Sequence, residues 1–288
     1  MITVIGLHND NTVCHFISNA NVPIHMVDLH DWVESDWRFD LPPTTAQLKL
    51  YEQMATLDPD GSYYCRITDL SSVSESTGES IKWRGLVTAL CAWLETIPGT
   101  VVNRPGHACD NSAKPLHEWW LQQCGFAVPP SLTSSEAERL VNFTAAGATV
   151  VKPLSGVRAN CRIVTPDEFQ FFDSRRGPVH LQRYIKGFDV RAHVVKDRVF
   201  AEKIVSTEVD YRMNSDQIEY LPYNLPKQLE EKLIYSSHAA GLIFAGWDFK
   251  VDTDGIFWCL EANPMPGYNS YDRRLKGIIT RALVDVLS

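Results

Sequence analysis

A chain of 288 residues can bury a substantial core, and 44% hydrophobic with 22% charged residues is the balance of an ordinary soluble globular protein. A net charge of −8 argues against a general binder of nucleic-acid backbones, and no apolar run approaches the roughly 20 residues a membrane helix needs. Seven cysteines, an odd number without a CxxC pair, read as reduced thiols of a cytoplasmic protein.

The first residues, MITVIGLHND, lack the basic segment and long apolar core of a signal peptide and read as a first strand. VPIHMV reads as a second strand. Residues 44–57 and 81–97 carry helical spacing of Leu, Val, Ala and Trp, and TVVN at 100–103 is a further strand stopped by Arg104-Pro105-Gly106. That order suggests a small α/β layer with parallel strands. Residues 69–80, DLSSVSESTGES, are polar and Ser-rich and read as a loop. After Gly106 the style changes. A helix over 114–124 ends at Gly125, and AVPPSLTSSEAERL reads as a strand entering a helix capped by Ser134 or Ser135. A dense series of strands follows: ATVVKPL, ANCRIV, EFQFF, VHLQRYI, DVRAHVV and RVFAEKIV. Helices are expected at about 225–240, stopped by Gly241, and at 274–287. The fold class expected is α+β: a small α/β front before mostly antiparallel sheets.

Between the last two helices lies GWDFKVDTDGIFWCLEANP, residues 246–264, two strands around Asp254-Gly255, a strong hairpin signal. With those two residues as the loop, Lys250 pairs with Cys259 and Asp248 falls opposite Glu261, two like charges about 5 Å apart, an arrangement that destabilises a sheet. Three arrangements would resolve this. The face is open to water or the register slips; the carboxylates share a proton; or a cation lies between them. Asn263 favours the third, because strand alternation puts it on the face of Glu261. Two carboxylates and an amide form a hard, all-oxygen set suited to magnesium or manganese, and the face requires no His or Cys as zinc would. By the same alternation Arg191 and His193 share one face of DVRAHVV, and Lys203 lies on the face opposite Glu202. Lys152 closes an apolar strand before Pro153. Singly, each basic residue is an ordinary salt-bridge or snorkelling side chain; together with an oxygen-ligand metal site they suit a polyphosphate.

The ordered run VVKP, LQRYIKGFDVR, AEKIVS with DYR, GWDF and LEANPMPGY resembles the ATP-grasp superfamily, and within it RimK-like ligases and the graspetide ligases that cross-link ribosomal peptides. The resemblance runs from about residue 100 to the end, including NRPGHACDNSAKPLHEWWLQQCGFAVPPSLTS; the first hundred residues match only in layout. It implies an ATP-grasp fold in three parts: a small α/β domain over 1–105, a central subdomain over 106–180 and a C-terminal subdomain over 181–288, the last two clamping the nucleotide. It implies ATP and Mg²⁺, or Mn²⁺, as cofactors. Lys152 matches the phosphate-binding lysine. Gln182, Arg183, Tyr184 and Ile185 match the adenine strand, with backbone groups of 183–185 reading the base, and Asp189 matches an acidic residue near the ribose. Arg191 matches the arginine that meets the transferred phosphoryl group, with Lys203 and Arg212 as further catalytic residues. Asp248, Glu261 and Asn263 match the magnesium ligands.

Two features depart from the pattern. The loop after Lys152 has only Gly156 where many relatives have several glycines, with Arg158 as the compensating candidate. PMPGYNSY, at 264–271, matches no particular substrate. The activity implied is ADP-forming ligation, in which ATP phosphorylates a carboxylate of an amino acid or peptide, such as a ribosomal precursor peptide, and an amine or hydroxyl displaces phosphate. The rival readings are a small-molecule kinase of the same superfamily and a nucleotide-binding protein without turnover. No nucleic acid or membrane partner is expected, and homo-oligomerisation is left open.

Overall fold

The computed structural model describes all residues except 41–44, 51–52, 75, 155–160, 207–208 and 210–217. The chain begins with β1 (Ile2–Gly6), α1 (Asn11–Asn19), β2 (Ile24–Asp28), α2 (Leu29–Val33), β3 (Asp36–Arg38), β4 (Ala46–Leu50), β5 (Gln53–Leu57), β6 (Ser62–Cys65), α3 (Thr77–Thr96) and β7 (Thr100–Val102). Strands β2-β1-β6-β7 form the expected parallel sheet. The helix expected over 44–57 is instead the hairpin β4–β5, which with β3 makes a separate antiparallel sheet. Ala46 and Leu48 are buried while Ala55 and Lys49 are not, so a period of 2 prevails over the helical spacing. The Ser-rich loop ends sooner than expected, because Ser76 caps α3 by accepting the Glu79 N–H.

Next come α4 (Lys114–Gln123), β8 (Ser131–Ser134), α5 (Ala137–Ala145), β9 (Thr149–Lys152), β10 (Arg162–Val164) and β11 (Val179–Arg183), the four strands forming an antiparallel sheet in the order β10-β9-β11-β8. Gly125 follows α4 at φ +76°, the left-handed stop expected of it. Ser134 accepts the Glu136 N–H, but Glu136 rather than a serine is the N-cap of α5. EFQFF is not a strand. Thr165 and Glu168 form a capping box that winds Pro166–Phe169 into a 3₁₀ turn.

The largest sheet contains β12 (Gly187–Val195), β13 (Arg198–Val205), β14 (Glu219–Pro222), β15 (Phe244–Asp252) and β16 (Phe257–Asn263), ordered β14-β13-β12-β15-β16 and antiparallel throughout. Helix α6 (Lys227–Ala239) precedes β15. The helix expected over 274–287 is two, α7 (Asn269–Arg274) and α8 (Ile278–Leu287), separated where Lys276 and Gly277 take φ of +57° and +78°.

One face of the large sheet is buried beneath α4 and α6, where Leu121, Phe126 and Leu233 pack on Val190, Trp247 and Phe249. A further core joins the chain's two ends: Val4, Phe16 and Tyr64 meet Phe244, Ile279 and Leu283. Thus α4, from the segment before β8, shares a core with the C-terminal sheet. A cut between 180 and 181 falls inside β11. None of the seven cysteines forms a disulfide. Among the described residues no helix is long and apolar enough to cross a membrane.

The β15–β16 hairpin departs from the expected pairing in two ways that cancel. Lys250 pairs with Trp258 rather than Cys259, because the loop has three residues and ends on Gly255 at φ +80°. A bulge between Asp248 and Phe249, which leaves Leu260 over on the partner strand, then restores the register, so Asp248 does face Glu261.

Candidate active site

The open face of the large sheet carries a row of four charged residues across its strands. Glu202 on β13, Arg191 on β12, Asp248 on β15 and Glu261 on β16 are successive cross-strand partners. Arg191 is buried and donates from Nη1 to Asp248 Oδ2 at 2.5 Å. At the other end, Glu261 Oε1 receives Asn111 Nδ2 at 2.8 Å and lies 3.2 Å from Lys114 Nζ. Burial alone would raise the Glu261 pKa, but Lys114 and Asn111 more than offset it and hold the carboxyl below its ordinary value. The facing carboxylates are therefore neutralised from their outer sides. Asp248 Oδ1 and Glu261 Oε2 have no hydrogen-bond partner among the described residues. Asn263, two residues beyond Glu261, uses its side-chain oxygen to accept the Met265 N–H.

Glycine is needed where Arg191 crosses the sheet. A Cβ at Gly246 would collide with Arg191 Nη2 and lie 2.8 Å from its Cζ and 2.7 Å from Pro266 Cβ. The segment after β16 is clasped from the N-terminal sheet. Arg66 donates to the carbonyls of Met265 and Pro266 at 3.2 and 3.1 Å, and Asn103 Nδ2 donates to Phe244 O and Pro264 O at 2.5 and 2.6 Å. PMPGYNSY is thereby a fixed wall leading into α7.

The second group of residues lies on the β8–β11 sheet. Lys152 Nζ donates to Gln182 Oε1 at 2.6 Å, and Gln182 Nε2 donates to Glu118 Oε1 at 2.6 Å. Glu118, on α4, also holds His180 Nε2 at 3.0 Å and the Ser131 hydroxyl at 2.5 Å. Burial opposes its ionisation, but these donors overcome that and lower its pKa. Desolvation pushes the Lys152 pKa down, against the opposing pull of Glu118 and Glu261. Lys152 is thus kept in place by a fixed amide, within the field of the Glu261 carboxylate.

The remaining expected residues divide. The backbone N–H groups of Arg183 and Tyr184 are bonded to Pro130 O and Ala148 O, so these two donors are occupied within the fold. The Arg183 side chain turns away, 3.9 Å over Phe143 and bonded to Thr149. Asp189 lies on the face of Arg191 but is 2.8 Å from Lys250 Nζ, a buried ion pair that occupies its charge. Lys203 does not join the row. Its partner is Val190, one residue out of phase with the Arg191–Glu202 pair, so it leaves the opposite face and sits 4.0 Å over Phe188. Arg212, Gly156 and Arg158 lie outside the described residues. Sequence reasoning missed Lys114, Asn111 and Glu118. The run from Asn111 to Glu118 does hold three charged or amide groups around a helix start, a signal of polar ends meeting a site.

No protein-family profile matches this chain, and no curated protein aligns with it. Solved structures do match over nearly its whole length. The ATP-grasp ligase PsnB, complexed with a minimal precursor, superposes with a TM-score of 0.82 at 23% identity, covering 99% of this chain and 97% of its own. The macrocyclase MdnC from Microcystis aeruginosa MRC, bound with precursor peptide MdnA, gives 0.81 at 18% identity, covering 100% and 99%. A RiPP-associated ATP-grasp ligase of Chryseobacterium gregarium, in complex with ADP and a leader and core peptide, gives 0.81 at 17% identity, covering 99% and 96%.

The chain has the ATP-grasp fold. Of its two larger antiparallel sheets, one carries Lys152 and the other the Arg191–Asp248–Glu261 row. The donor set fits a divalent cation. Two carboxylates on adjacent strands each keep an oxygen without a partner among the described residues, and Asn263 stands beside them. Oxygen donors alone suit magnesium or manganese.

Proposed function

We propose that this protein is an ATP-dependent, ADP-forming ligase that joins a carboxylate to an amine or hydroxyl through an acyl phosphate, acting on an amino acid or peptide such as a ribosomal precursor. The observation that carries this reading is the row in which buried Arg191 is clamped on Asp248, opposite Glu261, with Lys114 closing the far end. Solved structures of the same fold support it: PsnB has been seen with magnesium, ADP and a phosphomimetic precursor at 21% identity. A more distant neighbour, the D-alanyl-alanine synthetase A of Vibrio cholerae, superposes at 0.64.

In this reading Lys152 and Lys114 bind the nucleotide phosphates, and the carbonyls of 183–185 with the Ile185 N–H orient the base. Magnesium, held by Asp248, Glu261 and Asn263, would neutralise phosphate charge. Arg191 holds the acceptor carboxylate and meets the charge that develops as the γ-phosphoryl group moves. A carboxylate oxygen bonds to phosphorus as the bond to ADP breaks, and an amine or hydroxyl then displaces phosphate from the acyl carbon. The residues supply position and charge rather than a protein nucleophile. We keep 1–105 as the N-terminal unit, place the later boundary after Arg183 rather than at 180, and propose a cytoplasmic location. Product analysis tests the reaction: ADP should form, and hydroxylamine should trap the acyl phosphate as a hydroxamate. AMP with pyrophosphate would overturn the proposal.

A further inference from the structure

The face that carries Arg191 continues toward the sheet edge. Glu202, 2% exposed, chelates Arg274 at the end of α7, with Nε 3.0 Å from Oε1 and Nη2 2.8 Å from Oε2. Tyr220 on β14 shares this face, being the partner of Ile204. The Arg274 guanidinium lies 3.7 Å over the Tyr220 ring and 4.8 Å from that of Tyr271. The Arg191 guanidinium lies 5.9 Å from the same Tyr271 ring. Two arginines therefore share one aromatic neighbour, each fixed by its own carboxylate: Arg191 by Asp248 and Arg274 by Glu202.

Arg274 differs from Arg191 in what is left over. Its Nη1 has no hydrogen-bond partner among the described residues, and 30% of its side chain reaches solvent. A guanidinium locked along one edge and stacked on two rings has already lost its rotamer freedom. An anion meeting the remaining edge gains directed, charge-assisted hydrogen bonds at little further cost in order. Glu202, buried and occupied by Arg274, is support and not a ligand contact.

We propose that Arg274 docks a second, non-reacting carboxylate of the substrate while Arg191 receives the reacting one. This rests on the ligase reading above and makes Arg274 a specificity residue that selects a substrate with a second carboxylate.

The test uses the full chain loaded with ADP and magnesium. It is titrated by NMR with an end-blocked glycine-rich pentapeptide carrying two glutamates, and with a twin in which one glutamate is glutamine. Wild type should bind the two-glutamate peptide about tenfold more tightly than its twin, the effect of one charge-assisted contact. Arg274→Gln should erase that advantage and leave the affinity for the twin unchanged. Should the variant fail to fold because Glu202 is stranded, Glu202→Gln with Arg274→Gln removes both charges and carries the same expectation. Equal affinities in wild type, no binding of either peptide, an advantage that survives in the variant, or an equal loss for both peptides overturns the proposal. Failure of ADP to bind in the same samples would instead overturn the ligase reading.

Discussion

A single methyl group at Gly246 should disable the site without removing any side chain that binds a ligand. The added Cβ of Gly246→Ala would come within 2.8 Å of Arg191 Cζ and 2.7 Å of Pro266 Cβ, and it would strike Arg191 Nη2. Neither neighbour can yield easily. Arg191 is held by Asp248 at 2.5 Å and flanked by His193, while the carbonyls of Met265 and Pro266 are clasped by Arg66. Overpacking of this kind costs about 1–3 kcal/mol, and at roughly 2–3 °C per kcal/mol for a chain of this size the melting temperature should fall by about 2–9 °C. The effect on turnover should be larger, because an ångström of misplacement of a positioning group costs on the order of 10²-fold. Thermal unfolding, ADP affinity and magnesium-dependent ADP formation with an acidic peptide would be measured side by side. The affinity should hold, since the clash lies beside Arg191 and away from Lys152. A variant that melts and turns over like wild type would refute the placement of Arg191 over Gly246.

Lys152→Met should mainly weaken nucleotide binding, whereas Arg191→Met should leave ADP affinity nearly intact and lower turnover about 10²–10³-fold; parallel losses in the Arg191 variant would make it a ground-state anchor. His193 bears on pH. Its burial, aided by the positive charge of Arg191, holds its pKa well below the ordinary value. Below about pH 6.5 the unfolded chain therefore takes up a proton that the folded chain refuses, and stability falls with falling pH by up to about 1.4 kcal/mol per unit. Denaturant unfolding at several pH values should show a shallower acid loss in His193→Phe, and an unchanged slope would mean that His193 does not report burial.

The facing carboxylates were legible from the sequence because alternation and a turn signal place them within one or two residues. The pairing came out right through two compensating irregularities, the three-residue turn and the bulge at Leu260, neither of which has a strong local signature. Lys203 shows the limit. Alternation within β13 separates it from Glu202, but only the register against β12 shows that Glu202, and not Lys203, stands beside Arg191. Lys114 and Glu118 were missed for a related reason, since a helix start reads the same whether it faces water or meets Glu261 and Gln182 from another part of the chain. Residues 44–57 read as a helix because Leu and Ala spacing fits a helix as well as a strand over so short a window.

The central claim is that Asp248 and Glu261 form one half of a metal–nucleotide site completed by Lys152. Calorimetric titration of ADP with and without magnesium, on wild type and on Asp248→Asn with Glu261→Gln, tests it most directly. Magnesium should tighten ADP binding to wild type by about tenfold or more and should have no effect on the double variant, which keeps its weak, Lys152-dependent affinity. Magnesium-independent binding to wild type, or an equal magnesium effect in the variant, would contradict it.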